Sequence, residues 1–282
     1  MPVVMPSGKK CAVCLTFDFD TFSLWLGTFG ATSPAFMSRG EFGARVGAPR
    51  ILSLLDKYGL KATWFVPGHT ADTFPEAVKD VHRRGHEIGH HGYAHENPTK
   101  LTLEEERTMI ERGLEALKRT VGERPYGFRS PAWDTSPNTI SLLLEHDFIY
   151  GSNLMADDFR PYKLRIGDEV SMKEPYKFGK ETKLLEIPPS WYLDDFPVFE
   201  FLWYPVWNTG NYPPSHVFES WKAIFDYMYE EVPGGVFVLT CHPQVSGRAH
   251  LVRNLERLIQ HMHSHKDVWF ARGIDIAKAW KD

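Results

Sequence analysis

Residues 86–97 read HEIGHHGYAHEN, and whether they form a helix or a strand decides the fold of the chain. The stretch contains two overlapping patterns of metal-binding histidines. Residues 86–90 match the HExxH pattern of helical zinc proteases, and His91 and His95 are a second pair at the same spacing. HExxH binds zinc on a helix, where both histidines share one face. The second pair needs only one turn of irregular or helical backbone to converge on an ion.

The sequence on either side of residues 86–90 favours a strand. The preceding helical stretch PEAVKDVHRRG ends in two arginines and a glycine, which is typical of a helix C-terminus. HEIGH then alternates polar and apolar residues, as a short strand does. We therefore predict a structural role for His86 and no protease site. His91 and His95 follow the carboxyl end of the predicted strand, where side chains line the active sites of α/β folds.

Strand and helix patterns alternate along the whole chain of 282 residues. The predicted strands are 11–19, 61–67, 86–90, 126–130, 148–153, 184–188, 236–241 and 267–270. The predicted helices are 43–58, 74–84, 102–120, 136–146, 215–231, 249–264 and 274–281. Such alternation implies an α/β fold with a mostly parallel sheet, open or closed into a barrel. Residues 21–42, 155–183 and 190–215 have no clear period and are predicted to be long loops. We expect one domain over residues 1–282.

Composition and charge exclude several classes of partner. A net charge of −4 gives no basic field for nucleic acid or anionic lipid. No window approaches the roughly 18 apolar residues of a spanning helix, and the N-terminal MPVVMPSGKK does not resemble a signal peptide. We therefore expect a cytoplasmic protein. Cys11 and Cys14 spell CxxC, but residues three apart on a strand point to opposite faces, so we predict inert core thiols.

Two carboxylates stand at the end of the first predicted strand. Asp18 and Asp20 share one face of CLTFDFDTF, where they repel each other and are costly to desolvate. A metal ion would relieve the repulsion for one and leave the other as a base. One aspartate with His91 and His95 gives the three ligands and one open position of a catalytic zinc site. The alternative is a solvated edge without a role.

Two further polar residues end predicted strands. Arg129, in YGFRSPAW, follows the fourth strand, where a guanidinium can hold a carboxylate through two hydrogen bonds. His242, in LTCHP, follows the seventh. A single histidine in such a position is often only packed or solvated. Because other chemically useful groups also occupy strand ends, we favour a functional role.

Five segments, taken in their order along the chain, resemble the motifs of the polysaccharide deacetylases, the NodB-homology fold. They are TFDFD, HGYAH, RSPAW, PPSWYLDD and LTCHP. ATWFVPG and RGHEIGHH resemble the family's connecting sequence, and the resemblance runs from about residue 10 to the C-terminus. It implies a distorted (β/α) barrel. Three residues depart from the usual pattern of the family. They are Phe19 between the two aspartates, Gly92 after His91, and Trp133 in the third motif. These departures leave the substrate open.

The resemblance implies a role for each matching residue. Asp18 would be the catalytic base, oriented by Arg129. His242 would be the general acid, with Asp194 or Asp195 as its acidic partner, of which we favour Asp194. The implied metal ligands are Asp20, His91 and His95.

The resemblance also implies a reaction, the removal of an acetyl group from an N-acetylated sugar by metal-activated water. Zn²⁺ suits one aspartate and two histidines, although Co²⁺, Ni²⁺ or Mn²⁺ would bind similar ligands. The alternative is a cytosolic hydrolase of small linear or cyclic amides, as in the related imide and allantoin hydrolases, because aromatic loops can also roof a closed pocket. A non-catalytic metal- or sugar-binding module is less favoured, since the catalytic set is complete. The aromatic loops further predict a homo-oligomer.

Overall fold

The computed structural model describes residues 3–281, within which nine strands form one sheet. The strands are β1 (Cys11–Asp18), β2 (Thr63–Val66), β3 (Glu87–His90), β4 (Gly127–Phe128), β5 (Tyr150–Gly151), β6 (Tyr162–Ile166), β7 (Lys180–Glu186), β8 (Val236–Cys241) and β9 (Val268–Phe270). Their order is β6-β7-β5-β4-β3-β2-β1-β8, with β9 paired to β1. Only the β6–β7 pair is antiparallel among these pairings.

Helices follow most strands. They are α1 (Pro34–Phe42), α2 (Ala48–Lys57), α3 (Gly68–Thr73), α4 (Pro75–Arg83), α5 (Leu103–Val121), α6 (Thr139–Glu145), α7 (Asp195–Phe199), α8 (Pro214–Glu231), α9 (Pro243–Ser246), α10 (Ala249–His263) and α11 (Gly273–Ala279). Two π-helical turns occupy Leu24–Thr28 and Gly43–Gly47. None of the helices in the described part of the chain combines the length and apolar character that crossing a bilayer requires.

The sheet has the shape of a barrel that does not close. Its outer strands β6 and β8 form no pairing with each other within residues 3–281. All eight residues of β1 are buried, because this strand pairs with β2, β8 and β9 and is covered on both faces. The predicted class, a distorted (β/α) barrel of mostly parallel strands, is confirmed.

Residues of β1 alternate between two hydrophobic clusters. Cys11, Val13 and Leu15 pack on the helical side, whereas Ala12 and Cys14 pack with residues such as Val236. Burial raises the pKa of the Cys11 thiol to about 11 and that of Cys14 to about 12. The two cysteines are free and buried, so the prediction of unreactive core thiols is supported and a redox pair is not formed.

The predicted loops contain regular structure that the sequence did not reveal. Residues 21–42 include the π-helical turn Leu24–Thr28 and α1, and residues 155–183 include β6. In the π-helical turn, Phe29 N donates to Leu24 O, so the chain has no 3.6-residue period to recognise there. Trp25 is instead buried through distant contacts, in a cluster that includes Leu202. The prediction of long structureless loops was therefore wrong in these places.

Candidate active site and metal centre

The carboxyl ends of four parallel strands bring the predicted residues together. The register aligns Phe17 of β1 with Cys241 of β8, and His90 of β3 with Phe128 of β4. The side chains that follow these strands therefore lie along one edge of the sheet, as active-site residues do in α/β folds. The candidate residues there are all buried: Asp18, Asp20, His91, His95, Arg129, Asp194, Asp195 and His242.

Asp20, His91 and His95 form a cluster that can hold a metal ion. Their ligand atoms lie within 4.8 Å of one another. Asp20 Oδ1 is 3.4 Å from His91 Nε2 and 3.9 Å from His95 Nε2. Among the described residues, Asp20 Oδ1 and His91 Nε2 are buried atoms without a hydrogen-bond partner. Burying such atoms unsatisfied costs free energy, and a cation coordinated by all three residues would remove that cost.

Each histidine of this cluster is oriented through its other ring nitrogen. His91 Nδ1 lies 2.7 Å from the carbonyl oxygen of Arg129, and His95 Nδ1 lies 2.6 Å from Thr28 Oγ1. These two hydrogen bonds leave the Nε2 atom of each histidine facing the cluster. Histidines that bind a metal through one ring nitrogen usually donate a hydrogen bond from the other. The sequence did not identify Thr28, which lies in the stretch predicted to be a loop.

Arg129 holds the carboxylate of Asp18. Its Nη1 donates to Asp18 Oδ1 at 2.7 Å and to Thr16 Oγ1 at 2.9 Å, while Nη2 donates to Ser152 Oγ at 2.8 Å. Burial opposes ionisation of Asp18, but the positive charge of Arg129, aided by His91 and His242, outweighs it and lowers the pKa of Asp18. The carboxylate is thus kept ionised beside the candidate metal cluster.

His242 is bound by Asp195 and not by Asp194. Its Nδ1 lies 2.7 Å from Asp195 Oδ1 but 3.6 Å from Asp194 Oδ1. Asp194 instead caps α7, where its Oδ1 accepts the N–H of Phe196 at 2.8 Å. The preference for Asp194 is corrected, because its Oδ1 is engaged in this capping bond and lies beyond hydrogen-bond distance of the imidazole, whereas Asp195 Oδ1 lies within it. Burial disfavours the imidazolium, yet the charges of Asp195 and Asp194 prevail and raise the pKa of His242 well above its ordinary value.

A cavity of about 180 Å³ opens onto these groups. Asp18, His95 and His242 line one side of it. Two segments, residues 21–42 and 190–199, also contribute lining residues and are here together called the roof. The aromatic and apolar side chains that line the cavity are Leu24, Phe29, Trp133, Trp191 and Phe196.

The HExxH residues do not form a metal site. His86 Nδ1 accepts the N–H of Ala62 at 3.1 Å, and burial, with the nearby charge of Lys61, lowers the pKa of His86 to about 4. Glu87 accepts hydrogen bonds from Thr63 and Tyr150. The strand that the sequence predicted at 86–90 is present as β3, so His86 has the structural role that was expected.

Comparison with known proteins identifies relatives of this chain. The family model for polysaccharide deacetylases matches residues 7–150. A peptidoglycan deacetylase of Helicobacter pylori is 39% identical over 280 residues, covering 95% of this chain and 96% of that protein. A peptidoglycan deacetylase-like protein of Gibberella zeae is 31% identical over 92% of this chain and 83% of its own length.

Solved structures agree as well. A Mycobacterium smegmatis protein assigned to the polysaccharide deacetylases superposes with a TM-score of 0.87 at 38% identity, covering 98% of this chain and 92% of that one. An allantoinase superposes with a TM-score of 0.81 at 24% identity over 99% and 93% of the two chains, which shows a shared fold. The chain therefore belongs to the polysaccharide deacetylase family, whose members are metal-dependent hydrolases of the amide bonds of acetylated sugars.

Proposed function

We propose that this protein removes the acetyl group from an N-acetylated saccharide, with Asp18 as base and His242 as acid. The observation that carries the proposal is the ionised Asp18, held by Arg129 at 2.7 Å, on one side of a cavity that His242 also lines. A base and an acid that face one cavity fit the two proton transfers of amide hydrolysis. The peptidoglycan deacetylase that is 39% identical supports the saccharide as substrate.

Asp20, His91 and His95 are the proposed metal ligands, and zinc is the proposed ion. One carboxylate and two imidazoles suit Zn²⁺, and Co²⁺, Ni²⁺ or Mn²⁺ would accept the same donors. When bound, such an ion supplies Lewis acidity, which polarises the substrate carbonyl and lowers the pKa of water. Burial raises the pKa of Asp20, so a bound cation would also favour the ionised form of this ligand.

The chain's own residues account for both proton transfers. Asp18 Oδ1 is occupied by Arg129, which leaves Oδ2 to take the proton from the attacking water. As the C–N bond breaks, His242 Nε2 gives its proton to the leaving amine. The hydrogen on His242 Nδ1 stays on the ring, in its hydrogen bond to Asp195. Acetate and a free amino sugar result, and no covalent enzyme intermediate is required. Proton transfers by placed side chains typically contribute about 10²- to 10⁴-fold in rate.

The segment 130–133 is the proposed source of a backbone N–H for the developing oxyanion. Ala132 and Trp133 line the cavity, and both have a left-handed backbone with φ of 53°. Two successive non-glycine residues in this region store backbone strain, which in proteins is concentrated at functional sites. Donors held in place before the reaction stabilise the charge of a tetrahedral intermediate.

A compact amide substrate is the second candidate, and the size of the cavity favours it. Its volume of about 180 Å³ is below the roughly 300–1,000 Å³ of usual small-molecule sites. The catalytic groups line this small space together with aromatic side chains, and its size suits an acetamido group or a small cyclic amide. A polymer would have to present its N-acetyl group at the mouth of the cavity, near Trp191.

The experiment that tests the proposal combines metal content with activity. Wild type and His91→Ala are analysed for bound elements and assayed for acetate release from N-acetylglucosamine oligomers and for ring opening of cyclic amides. One metal equivalent, lost in His91→Ala together with acetate release, supports the proposal. Activity confined to cyclic amides would select the second candidate. Full metal occupancy with no hydrolysis of any substrate would contradict both and support a binding module.

Further expectations accompany the proposed activity. We propose one catalytic domain over residues 1–282, which is supported by the sheet continuing from β1 to β9 and tested by limited proteolysis. The predicted homo-oligomer is supported by the exposed aromatic side chains Trp203, Trp207 and Tyr212, and light scattering tests it. The cytoplasmic location and the absence of nucleic-acid and membrane partners stay predictions.

A further inference from the structure

The roof and the loop that carries His95 are in direct backbone contact. A Cβ atom placed on Gly27, in the π-helical turn Leu24–Thr28, would lie 2.0 Å from the carbonyl oxygen of Ala94 and 2.5 Å from that of His95. No side chain can be accommodated at those distances, so glycine is required for the close approach. The turn is therefore seated on the same residues that position a proposed metal ligand.

Thr28 extends this contact to the imidazole ring. Its Oγ1 lies 2.6 Å from His95 Nδ1 and 3.4 Å from the carbonyl oxygen of the same residue. His95 Nε2 is the nitrogen that faces Asp20, at 3.9 Å from Oδ1. If Nε2 binds the ion, Nδ1 carries the hydrogen and donates it to Thr28, whose own hydroxyl hydrogen can go to the carbonyl.

The two ligand histidines are therefore held by different parts of the molecule. His91 is oriented by the carbonyl of Arg129, which directly follows β4. His95 stands in a loop with a left-handed backbone, at φ of 63°, and its ring is held by the roof. Because this backbone conformation is unfavourable for a non-glycine residue, its surroundings must maintain it.

We propose that Thr28 is a positioning residue of the metal centre, and that through it metal binding and the order of the roof depend on each other. This inference rests on the proposed metal ligands. The hydroxyl of Thr28 fixes the tautomer and orientation of His95. Conversely, an ion on Nε2 fixes the ring against which the turn Leu24–Thr28 is seated.

The aromatic side chains of the roof pack against one another, so a change at Thr28 would affect the rest of the roof. Trp25 is fully buried and lies against Phe36, with ring centroids 5.2 Å apart. Phe29 stacks on Phe196 at 6.2 Å. Phe196 belongs to α7, which begins at Asp195, the partner of His242. Loosening the roof would therefore also disturb the side of the cavity that carries the proposed acid.

The first test measures metal affinity. Thr28→Val keeps the shape of the side chain without its hydroxyl, and competition for Zn²⁺ with a chromophoric chelator reports the dissociation constant. We expect binding weaker by about 10- to 100-fold, the usual effect of removing a group that orients a metal ligand. Thr28→Ser should stay near wild type, because it retains the hydroxyl. Thr32→Val, at an exposed position of the same segment, is the matched control and should bind as wild type.

The second test needs no variant. Hydrogen exchange of wild type is compared with and without Zn²⁺, and exchange at residues 24–31 should slow when the ion is bound. Unchanged exchange there, or a Thr28→Val protein that binds Zn²⁺ as tightly as wild type, would overturn the inference and leave the proposed function intact. A wild type that binds no Zn²⁺ through His91 and His95 would instead remove the proposed function, and this inference with it.

Discussion

Asp195 binds His242 twice, through the side chain and through the backbone. Its Oδ1 lies 2.7 Å from Nδ1 of the imidazole, and its Oδ2 accepts the backbone N–H of the same histidine at 2.9 Å. Oδ2 also accepts hydrogen bonds from the backbone N–H and the hydroxyl of Ser246. With its acceptors used in this way, the carboxylate is held rigidly, and it fixes the ring so that Nε2 is available as the proton donor.

The first prediction concerns this pair. Asp195→Asn should lower kcat by about 10²- to 10⁴-fold, the range expected when acid–base catalysis is lost. Because the carboxylate raises the pKa of His242, its removal lowers that pKa. His242 then loses its proton at lower pH, so the alkaline limb of the kcat profile should move to lower pH.

Asp194→Asn is the matched control, since Asp194 lies 3.6 Å from the same nitrogen. Its effect on kcat and on the alkaline limb should be smaller. Equal effects of the two substitutions, measured by kcat from pH 6 to 10, would contradict the assignment of Asp195 as the partner.

The second prediction concerns Arg129, which is fully buried and bound to Asp18. Arg129→Met leaves a buried carboxylate without its counter-charge, which typically costs about 3–5 kcal/mol. Urea unfolding at neutral pH should show a loss of that size in the free energy of unfolding. Arg129→Lys keeps the charge but not the planar fork, so it should recover part of the loss. A Met variant as stable as wild type would mean that Asp18 is not ionised in the folded protein.

Most of the candidate site could be predicted because its residues follow strands with clear patterns of their own. Asp18 ends the buried run of β1, Arg129 follows β4 and His242 follows β8. Alternating strands and helices imply a parallel sheet, whose carboxyl ends meet along one edge. Local patterns were therefore sufficient to bring together residues that are far apart in the chain.

The remainder of the site depends on contacts that no local pattern encodes. Asp194 and Asp195 are neighbours in the chain, and the choice between them follows from the path of the backbone at Asp194, which bridges to Thr240 of β8. Thr28 lies in a π-helical turn, whose period differs from that of an α-helix. Its position over His95 is set by tertiary packing of Trp25 and Leu202.

The third prediction tests whether a saccharide binds at the mouth of the cavity. Trp191 lines the cavity, lies 4.3 Å from Trp133 between ring centroids, and is 46% exposed. Trp191→Ala should raise KM for N-acetylated oligomers about 2- to 12-fold, as expected for the loss of an aromatic contact of about 0.5–1.5 kcal/mol. The value of kcat should change little, because no proton transfer involves the ring. Tyr192→Ala, at 82% exposure beside it, is the control. Unchanged KM for oligomers in Trp191→Ala would argue against this binding mode.

The last prediction separates His86 from the metal centre through the pH dependence of stability. Burial lowers the pKa of His86 from its ordinary value of 6.5 to about 4. Between these values the unfolded chain binds a proton at this position and the folded protein does not. The contribution of neutral His86 to stability is therefore present above pH 6.5 and is lost as the pH falls toward 4, by at most about 1.4 kcal/mol per pH unit.

His86→Asn removes this titration while its side-chain oxygen can still accept the N–H of Ala62, as Nδ1 does now. The free energy of unfolding, measured by urea at intervals from pH 7 to 4, should therefore fall less steeply in the variant than in wild type. Taking the difference between the two proteins removes the contribution of carboxylates that titrate in the same range.

The variant should also keep its full metal content, because His86 is not among the proposed ligands. Loss of metal from His86→Asn with retention in His91→Ala would reinstate the HExxH interpretation, and parallel pH profiles would show that His86 is not buried in its neutral form.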